Sequence, residues 1–145
     1  MEQIRDFIVE ILETGYLMSI ASVDEHGLCV SDLIYIVDCD LNMYFISRRE
    51  FRHSRAFEKN SASSGSITAV ERPIGKSTGV QFEGKVTEVK TIPEDVLKKY
   101  SKKRGIDGLW ELENGEAWYK FSPTSFDVIY EPIFGFMKKK YRMIT

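Results

Sequence analysis

The segment from residue 77 to residue 90 alternates cleanly between two kinds of side chain, and this feature constrains the fold most. Val80, Phe82, Gly84 and Val86 take every second position, and polar residues take the positions between them. Because successive side chains of a β-strand point to opposite faces, the pattern predicts a long strand with one buried face. Such a strand needs partners, so the chain must build a sheet around it.

Further strand segments lie on both sides of this one. Residues 16–23 and 28–37 are rich in β-branched and aromatic residues, and the turn residues 24–27 between them predict a β-hairpin. A short strand at 43–47 continues an antiparallel meander. A fourth strand is predicted over residues 64–70, before a turn at residues 72–75. The sixth and last covers residues 117–121 and 126–130, with an interruption at Ser122 and Pro123.

Helical patterns are few and separate the strands instead of alternating with them. An amphipathic helix opens the chain and ends at Gly15, a short helix starts at about Phe51, and a third runs from Pro93 to Arg104. We therefore predict one mainly β domain over residues 1–145. Its expected architecture is a six-stranded, antiparallel, Greek-key-like split β-barrel with an N-terminal helix and two or three short inserted helices.

Composition narrows the class of protein. The 145 residues carry 20 Lys and Arg against 22 Asp and Glu, which argues against general electrostatic attraction to nucleic acid. The longest apolar stretch, residues 33–37, is far shorter than a membrane-spanning helix, and the acidic N-terminus does not look like a secretory signal. Two cysteines, Cys29 and Cys39, do not form a disulfide framework. We expect a cytoplasmic protein that does not associate with membranes.

The segment from residue 47 to residue 55 is the most informative for function. A predicted strand ends there at Ser47, which carries a hydroxyl. Basic side chains cluster around the start of a short helix, where free backbone N–H groups favour an anion. This pattern predicts a phosphate site. The alternative is a solvated basic loop in which Arg49 and Arg55 pair with Glu50 and Glu58. The basic residues of the cluster are Arg48, Arg49, Arg52, His53 and Arg55.

Other residue clusters support weaker hypotheses. His26, Cys29, Cys39 and His53 could hold zinc, but their spacing is not that of a zinc finger. Lys98 to Arg104 fits bases at the C-terminal end of a helix. In the tail, Lys138–Lys140 and Arg142 interleave with aromatic residues. That arrangement fits a nucleic-acid or phosphate contact, and equally a tail that packs on a second subunit.

Taken in order, these residues resemble the pyridoxamine 5'-phosphate oxidase-like, FMN-binding split-barrel superfamily, in particular a poorly characterised bacterial branch of it. No single motif carries the resemblance, which rests on the order and spacing of several segments. These are residues 27–33, 43–47, 51–60 and 79–86, with the late run Phe134–Lys139.

The resemblance implies a homodimer with two FMN sites at the interface. It places the flavin-contacting strand at residues 32–37, the end of the next strand at Ile46 and Ser47, and a basic phosphate-binding pair at Arg52 and His53. Ser47 would donate its hydroxyl and Arg52 a two-pronged contact to the phosphate. The residues that we expect to bind the cofactor are Ser31, Asp32, Leu33, Ile46, Ser47, Arg48, Arg52 and His53.

Four positions depart from the vitamin B6 oxidases of the superfamily. Asp32 and Val37 stand where those enzymes have Arg and Lys, His53 replaces the Lys of the basic pair, and Gly79 replaces a flavin-contacting Gln. Arg48 or Lys138–Lys140 would have to compensate for the missing cations. We therefore do not predict pyridoxamine 5'-phosphate oxidase activity.

These observations lead to one main hypothesis and two alternatives. We expect an FMN-binding protein, acting as a flavin-dependent oxidoreductase or reductase on an unidentified small molecule, in which the flavin performs the redox step. The first alternative is a non-catalytic flavin- or haem-binding module with His53 or His26 as axial ligand. The second is a small nucleic-acid-binding β-barrel that uses Phe134, Phe136 and Tyr141 beside the tail lysines.

Overall fold

The computed structural model describes residues 2–68 and 73–144, and these residues form four helices and eight strands. The order along the chain is α1 (Glu2–Thr14), β1 (Leu17–Asp24), β2 (Gly27–Ile34), β3 (Ile36–Val37), β4 (Met43–Arg48), α2 (Arg52–Lys59), β5 (Ala62–Thr68), β6 (Thr78–Val89), α3 (Glu94–Lys103), β7 (Glu116–Tyr130), α4 (Glu131–Phe134) and β8 (Lys139–Arg142).

All the strands join one antiparallel sheet, in the order β2-β1-β5-β6-β7-β4-β3, with β8 added beside β7. The two ends of this sheet, β2 and β3, are separated in sequence by Tyr35 alone. One bent segment of chain therefore pairs with β1 through its first part and with β4 through its last two residues. This arrangement turns the open sheet into a partly closed barrel, and confirms the mainly β, antiparallel class predicted from the sequence.

The prediction of six strands was wrong. The expected strand over residues 28–37 is divided at Tyr35, and the tail adds β8, whose residues Lys139–Arg142 pair with Ser125–Val128 of β7. The hairpin and the long β6 agree with the sequence pattern. Residues 69 and 70 of the predicted fourth strand, and Arg72 of the predicted turn, lie outside the described residues.

The predicted interruption at Ser122 and Pro123 is also absent, because β7 runs without a break from Glu116 to Tyr130. A proline cannot donate a hydrogen bond to a sheet, but it is tolerated at an irregularity in the pairing. The register between β6 and β7 shifts at Glu83 and Gly84, and Gly84 lies opposite Pro123. A Cβ atom on Gly84 would lie 2.2 Å from the Ser122 carbonyl oxygen, so only glycine fits there.

The core fills the barrel and continues beneath α1. Ile8, Ile11 and Leu12 of α1 are buried against aromatic residues of the sheet, as the helical spacing of its apolar residues predicted. A second apolar cluster lies where α3 packs on the barrel through Val96 and Tyr100. Over the described ranges, 2–68 and 73–144, no helix has the length and apolar character needed to span a bilayer.

Candidate functional site

The centre of the candidate site is the imidazole of His53, in the first turn of α2. Its Nδ1 atom lies 3.0 Å from the Ser31 hydroxyl oxygen, and its Nε2 atom lies 2.7 Å from the Ser47 hydroxyl oxygen. A neutral imidazole donates at one nitrogen and accepts at the other, so one serine accepts from the ring and the other donates to it. The structure thus brings together three of the predicted cofactor-binding residues.

His53 occupies the gap between two strands that do not pair with each other there. Ser31 lies on β2, whose backbone pairs with β1, and Ser47 lies on the part of β4 that pairs with β7. The ladder between β3 and β4 includes only Tyr44 and Met43 on the β4 side. Beyond it, the His53 side chain links the two halves of the barrel in place of backbone hydrogen bonds.

Burial controls the charge of this imidazole. Desolvation lowers the pKa of His53 below its ordinary value of 6.5, because a partly buried ring favours its neutral form. The ring therefore carries no charge near neutral pH in the free protein. It supplies hydrogen-bonding groups to the site and not the fixed positive charge of a lysine.

Two buried polar residues near β4 were not predicted from the sequence, Ser54 on α2 and Tyr119 on β7. The buried Ser54 hydroxyl donates to the Ser47 hydroxyl oxygen at 3.3 Å. The hydroxyl of Tyr119 on β7 is buried and has no hydrogen-bond partner among the residues that the structure describes. Ser54 lies on the same buried face of α2 as Ala56 and Phe57, and this helical spacing was the signal available in the sequence.

Arg52 does not point toward the serine hydroxyls. Its guanidinium donates from Nε and one terminal nitrogen to the two carboxylate oxygens of Asp24, at 2.8 and 3.0 Å. The two-pronged contact that the resemblance assigned to a phosphate is therefore made to Asp24 of the β1–β2 hairpin. The Arg52 hydrogen bonds lower the pKa of Asp24 to about 2.

Carboxylates also engage the neighbouring arginines. Arg48 pairs with Glu50 at 2.8 Å. The solvated-loop alternative also expected pairs between arginine and glutamate, but it expected other partners. Arg49 donates to Glu88 of β6 at 2.9 Å, not to Glu50. In the free protein the basic cluster is thus largely compensated, and these pairs are exposed enough to exchange partners at little cost.

The remaining predicted residues are spread over different surfaces. Asp32 is exposed and accepts a hydrogen bond from the Ser19 hydroxyl on β1. Leu33 packs against the main core, whereas Ile46 packs against the second cluster beneath α3. The structure therefore does not gather these three side chains with His53.

The local donors fit a phosphate group. Among the described residues no side chain caps the start of α2 at Phe51, so the first backbone N–H groups of the helix remain available to an anion. The Ser31 and Ser47 hydroxyls and the His53 ring add three more groups. Because His53 lies between the two hydroxyls, a phosphate must bind on the solvent side of the ring or displace it from one serine.

The tail aromatic residues do not form one stacking surface. Phe134 packs edge-to-face against Phe7, and Tyr141 packs against the core, which leaves Phe136 exposed. Lys140 pairs with Asp127 and Lys138 donates to Gln81. Cys29 and Cys39 are free thiols, and within residues 2–68 and 73–144 no three His, Cys, Asp or Glu side chains are grouped to hold a metal ion.

Comparison with known proteins identifies the fold. No family model matches the sequence, and no curated protein matches it significantly. Solved structures do match. A protein from Listeria innocua, provisionally described as a pyridoxamine 5'-phosphate oxidase, superposes with a TM-score of 0.68 at 17% identity, covering 86% of this chain and 96% of that one.

Two haem proteins share the same fold. The haem storage protein HutZ from Vibrio cholerae matches with a TM-score of 0.61 at 20% identity, over 84% of this chain and 88% of that one. A haem-binding protein from Mycobacterium smegmatis matches with a TM-score of 0.70 at 11% identity. That match covers 96% of this chain but 57% of the other, longer chain. The split-barrel resemblance expected from the sequence is thus confirmed at the level of the fold.

Proposed function

From this split-barrel fold and the Ser31–His53–Ser47 cluster, we propose that the protein binds FMN through its phosphate. The cluster is the single observation that carries the proposal. Two hydroxyls lie within hydrogen-bond distance of an imidazole in the first turn of the uncapped helix α2, and these are groups that bind phosphate. Structures of this fold include one described as a pyridoxamine 5'-phosphate oxidase.

The roles of the residues follow from their positions. Ser31 and Ser47 orient the phosphate, and His53 adds a positive charge if the phosphate dianion raises its pKa on binding. Arg52 is close enough in sequence to join them once it leaves Asp24. When FMN is bound, its isoalloxazine ring supplies the redox chemistry, and Asp32 and the Leu33 backbone of β2 are proposed to lie on the side of that ring.

We further propose that the functional form is a homodimer that acts as a flavin-dependent oxidoreductase or reductase. The outer face of the β1–β2 hairpin supports an interface. Leu28 is 80% exposed and Val30 is 69% exposed, and Val23 lies opposite Leu28 on the same face. Apolar side chains grouped on a sheet surface favour a protein partner. Light scattering during size-exclusion chromatography measures the mass, which should be twice 16.7 kDa.

The experiment that tests FMN binding is a titration monitored by flavin fluorescence and visible absorption. Ser47→Ala and Ser31→Ala should each weaken FMN binding about 10- to 100-fold, since a hydrogen bond to a charged group contributes ~1.5–3 kcal/mol. The control is Ser77→Ala, which removes an exposed hydroxyl outside the cluster. Absence of FMN binding at micromolar concentration in the wild-type protein would overturn the proposal.

Haem is the second candidate ligand, because two structures of this fold are haem proteins. Both nitrogens of His53 are already hydrogen-bonded, so an axial bond from His53 would break one of these contacts. The ring of His26 is 76% exposed in the hairpin turn and is the better placed ligand. Haem titration followed at the Soret band distinguishes haem binding from FMN binding. His26→Ala should abolish haem binding and leave FMN binding unchanged.

A further inference from the structure

A pocket away from His53 lies where the C-terminal end of α1 and the end of α3 meet the chain around Tyr35. Its volume is about 520 Å³, which is within the range of small-molecule sites. Tyr16, Tyr35, Ile36 and Val37 supply much of its apolar lining. The last three of these belong to the segment 32–37 that the resemblance assigned to flavin contact, but Ser31, Ser47 and His53 do not line the pocket.

Three lysines and one acid give this pocket an excess of positive charge. Glu13 pairs with Lys99 at 2.9 Å, and Lys99 also donates to the Val37 carbonyl oxygen, so this pair is mutually satisfied. Lys102 and Lys103 line the same pocket. Because Glu13 already pairs with Lys99, the pocket lining offers no free carboxylate to the ammonium groups of Lys102 and Lys103.

Lys103 is the more informative of the two. Its ammonium donates to the Tyr35 carbonyl oxygen at 2.6 Å and lies 3.9 Å from the centre of the Tyr35 ring and 5.5 Å from that of Tyr16. These contacts hold a partly buried cation in place and use one of its three N–H donors. Burial lowers the pKa of Lys103 to about 8, and the nearby Glu13 carboxylate opposes this effect only in part.

We propose that this pocket binds a small organic anion that carries an aromatic ring. The anionic group would lie between the ammonium groups of Lys102 and Lys103, where it pairs a cation that the protein leaves unpaired. The ring would pack against Tyr16, which is 53% exposed, and against the apolar end of β3. The site is distinct from the proposed phosphate site, because Ser31, Ser47 and His53 do not line this pocket.

The probes are 1-naphthoate, 1-naphthyl phosphate and the neutral 1-naphthamide, each titrated by calorimetry into the protein as purified. We expect at least one of the two anions to bind and the amide to bind at least tenfold more weakly. The anion that binds more tightly shows whether the pocket prefers a carboxylate or a phosphate ester. Equal binding of the amide, or no binding of either anion at millimolar concentration, would overturn the proposal.

Variants locate the binding. Lys103→Met and Lys102→Met should each lower the affinity for the naphthyl anion that binds the wild-type protein by about tenfold or more. The control, Lys98→Met, is on the same helix but pairs with Glu94 outside the pocket and should leave the affinity unchanged. Lys102 is exposed, so its variant keeps the test valid if Lys103→Met does not fold. His53→Gln should not change the affinity. Wild-type affinity in both lysine variants would show that Lys103 only anchors α3 to the barrel.

Discussion

The Ser47 hydroxyl oxygen and the Nε2 atom of His53 lie 2.7 Å apart, and this contact joins strand β4 to helix α2. Because the other ring nitrogen contacts Ser31 on β2, a single side chain connects both edges of the open side of the barrel. The neutral imidazole accepts from one serine hydroxyl and donates to the other, whereas an imidazolium would donate to both hydroxyl oxygens.

His53 should make the protein less stable in mild acid. Its pKa in the folded state is below the ordinary 6.5, so the unfolded chain binds the proton more readily. The contribution to stability is complete above pH 6.5 and is lost as the pH falls through 6.5 toward the folded pKa. Urea unfolding at about pH 8 and pH 5 measures this. His53→Gln should reduce the difference, whereas His26→Gln, at an exposed turn position, should retain it.

Asp24 should contribute a second, more acidic transition. Its pKa is lowered from 3.8 to about 2 by Arg52, so its contribution to stability is present above pH 3.8 and is lost as the pH falls toward 2. Acid unfolding followed by circular dichroism should start at lower pH in the wild-type protein than in Arg52→Gln, which removes the partner. The same onset in both proteins would contradict this assignment.

Asp24→Asn should strengthen FMN binding, because it releases Arg52 for the phosphate while its amide oxygen can still accept from the His26 N–H. A charge-assisted hydrogen bond from Arg52 to the phosphate would contribute ~1.5–3 kcal/mol, so we expect about tenfold tighter binding or more. Arg52→Gln should abolish this effect when combined with Asp24→Asn. The control is Asp107→Asn, an exposed loop position outside the site. Unchanged affinity in Asp24→Asn would mean that Arg52 stays with the hairpin.

Gly15→Ala should destabilise the fold by about 1–3 kcal/mol, the usual cost of overpacking a core. A Cβ atom there would lie 2.3 Å from the Tyr35 hydroxyl oxygen and 2.7 Å from a methyl group of Ile67. The Tyr35 hydroxyl is held in place because it donates to the Leu12 carbonyl oxygen. In a Tyr35→Phe background the same substitution should cost less. A double-mutant cycle from urea unfolding measures the coupling, and additive effects would exclude the clash with this hydroxyl.

Local patterns predicted those parts of the fold that depend on neighbouring residues. The spacing of Ile8, Ile11 and Leu12 predicted the buried face of α1, and the turn chemistry at residues 24–27 predicted the hairpin. The interruption expected at Pro123 was wrong for a physical reason. Whether a proline ends a strand depends on its partner, and here Gly84, distant in sequence, provides the irregularity that accommodates it.

The candidate site was predictable only in part for a similar reason. The sequence placed Ser47 and His53 together because they lie six residues apart across a strand end. It could not show that Asp24 takes the Arg52 guanidinium, since that pair is separated by 28 residues and forms only when α2 packs beside the hairpin. Ser31 was assigned through the resemblance, and its contact with His53 depends on closure of the barrel.

The pairing of β4 with β7 also determines when the protein can fold during its synthesis. Every residue of β4, from Met43 to Arg48, pairs with residues 116–121. On the ribosome, β4 can pair early with β3 through Met43 and Tyr44, but its ladder with β7 cannot form until residues 116–121 have been translated. The N-terminal hairpin and α1 emerge first, but the barrel closes late, and until β7 is made the nascent chain carries a β4 edge that is largely unpaired.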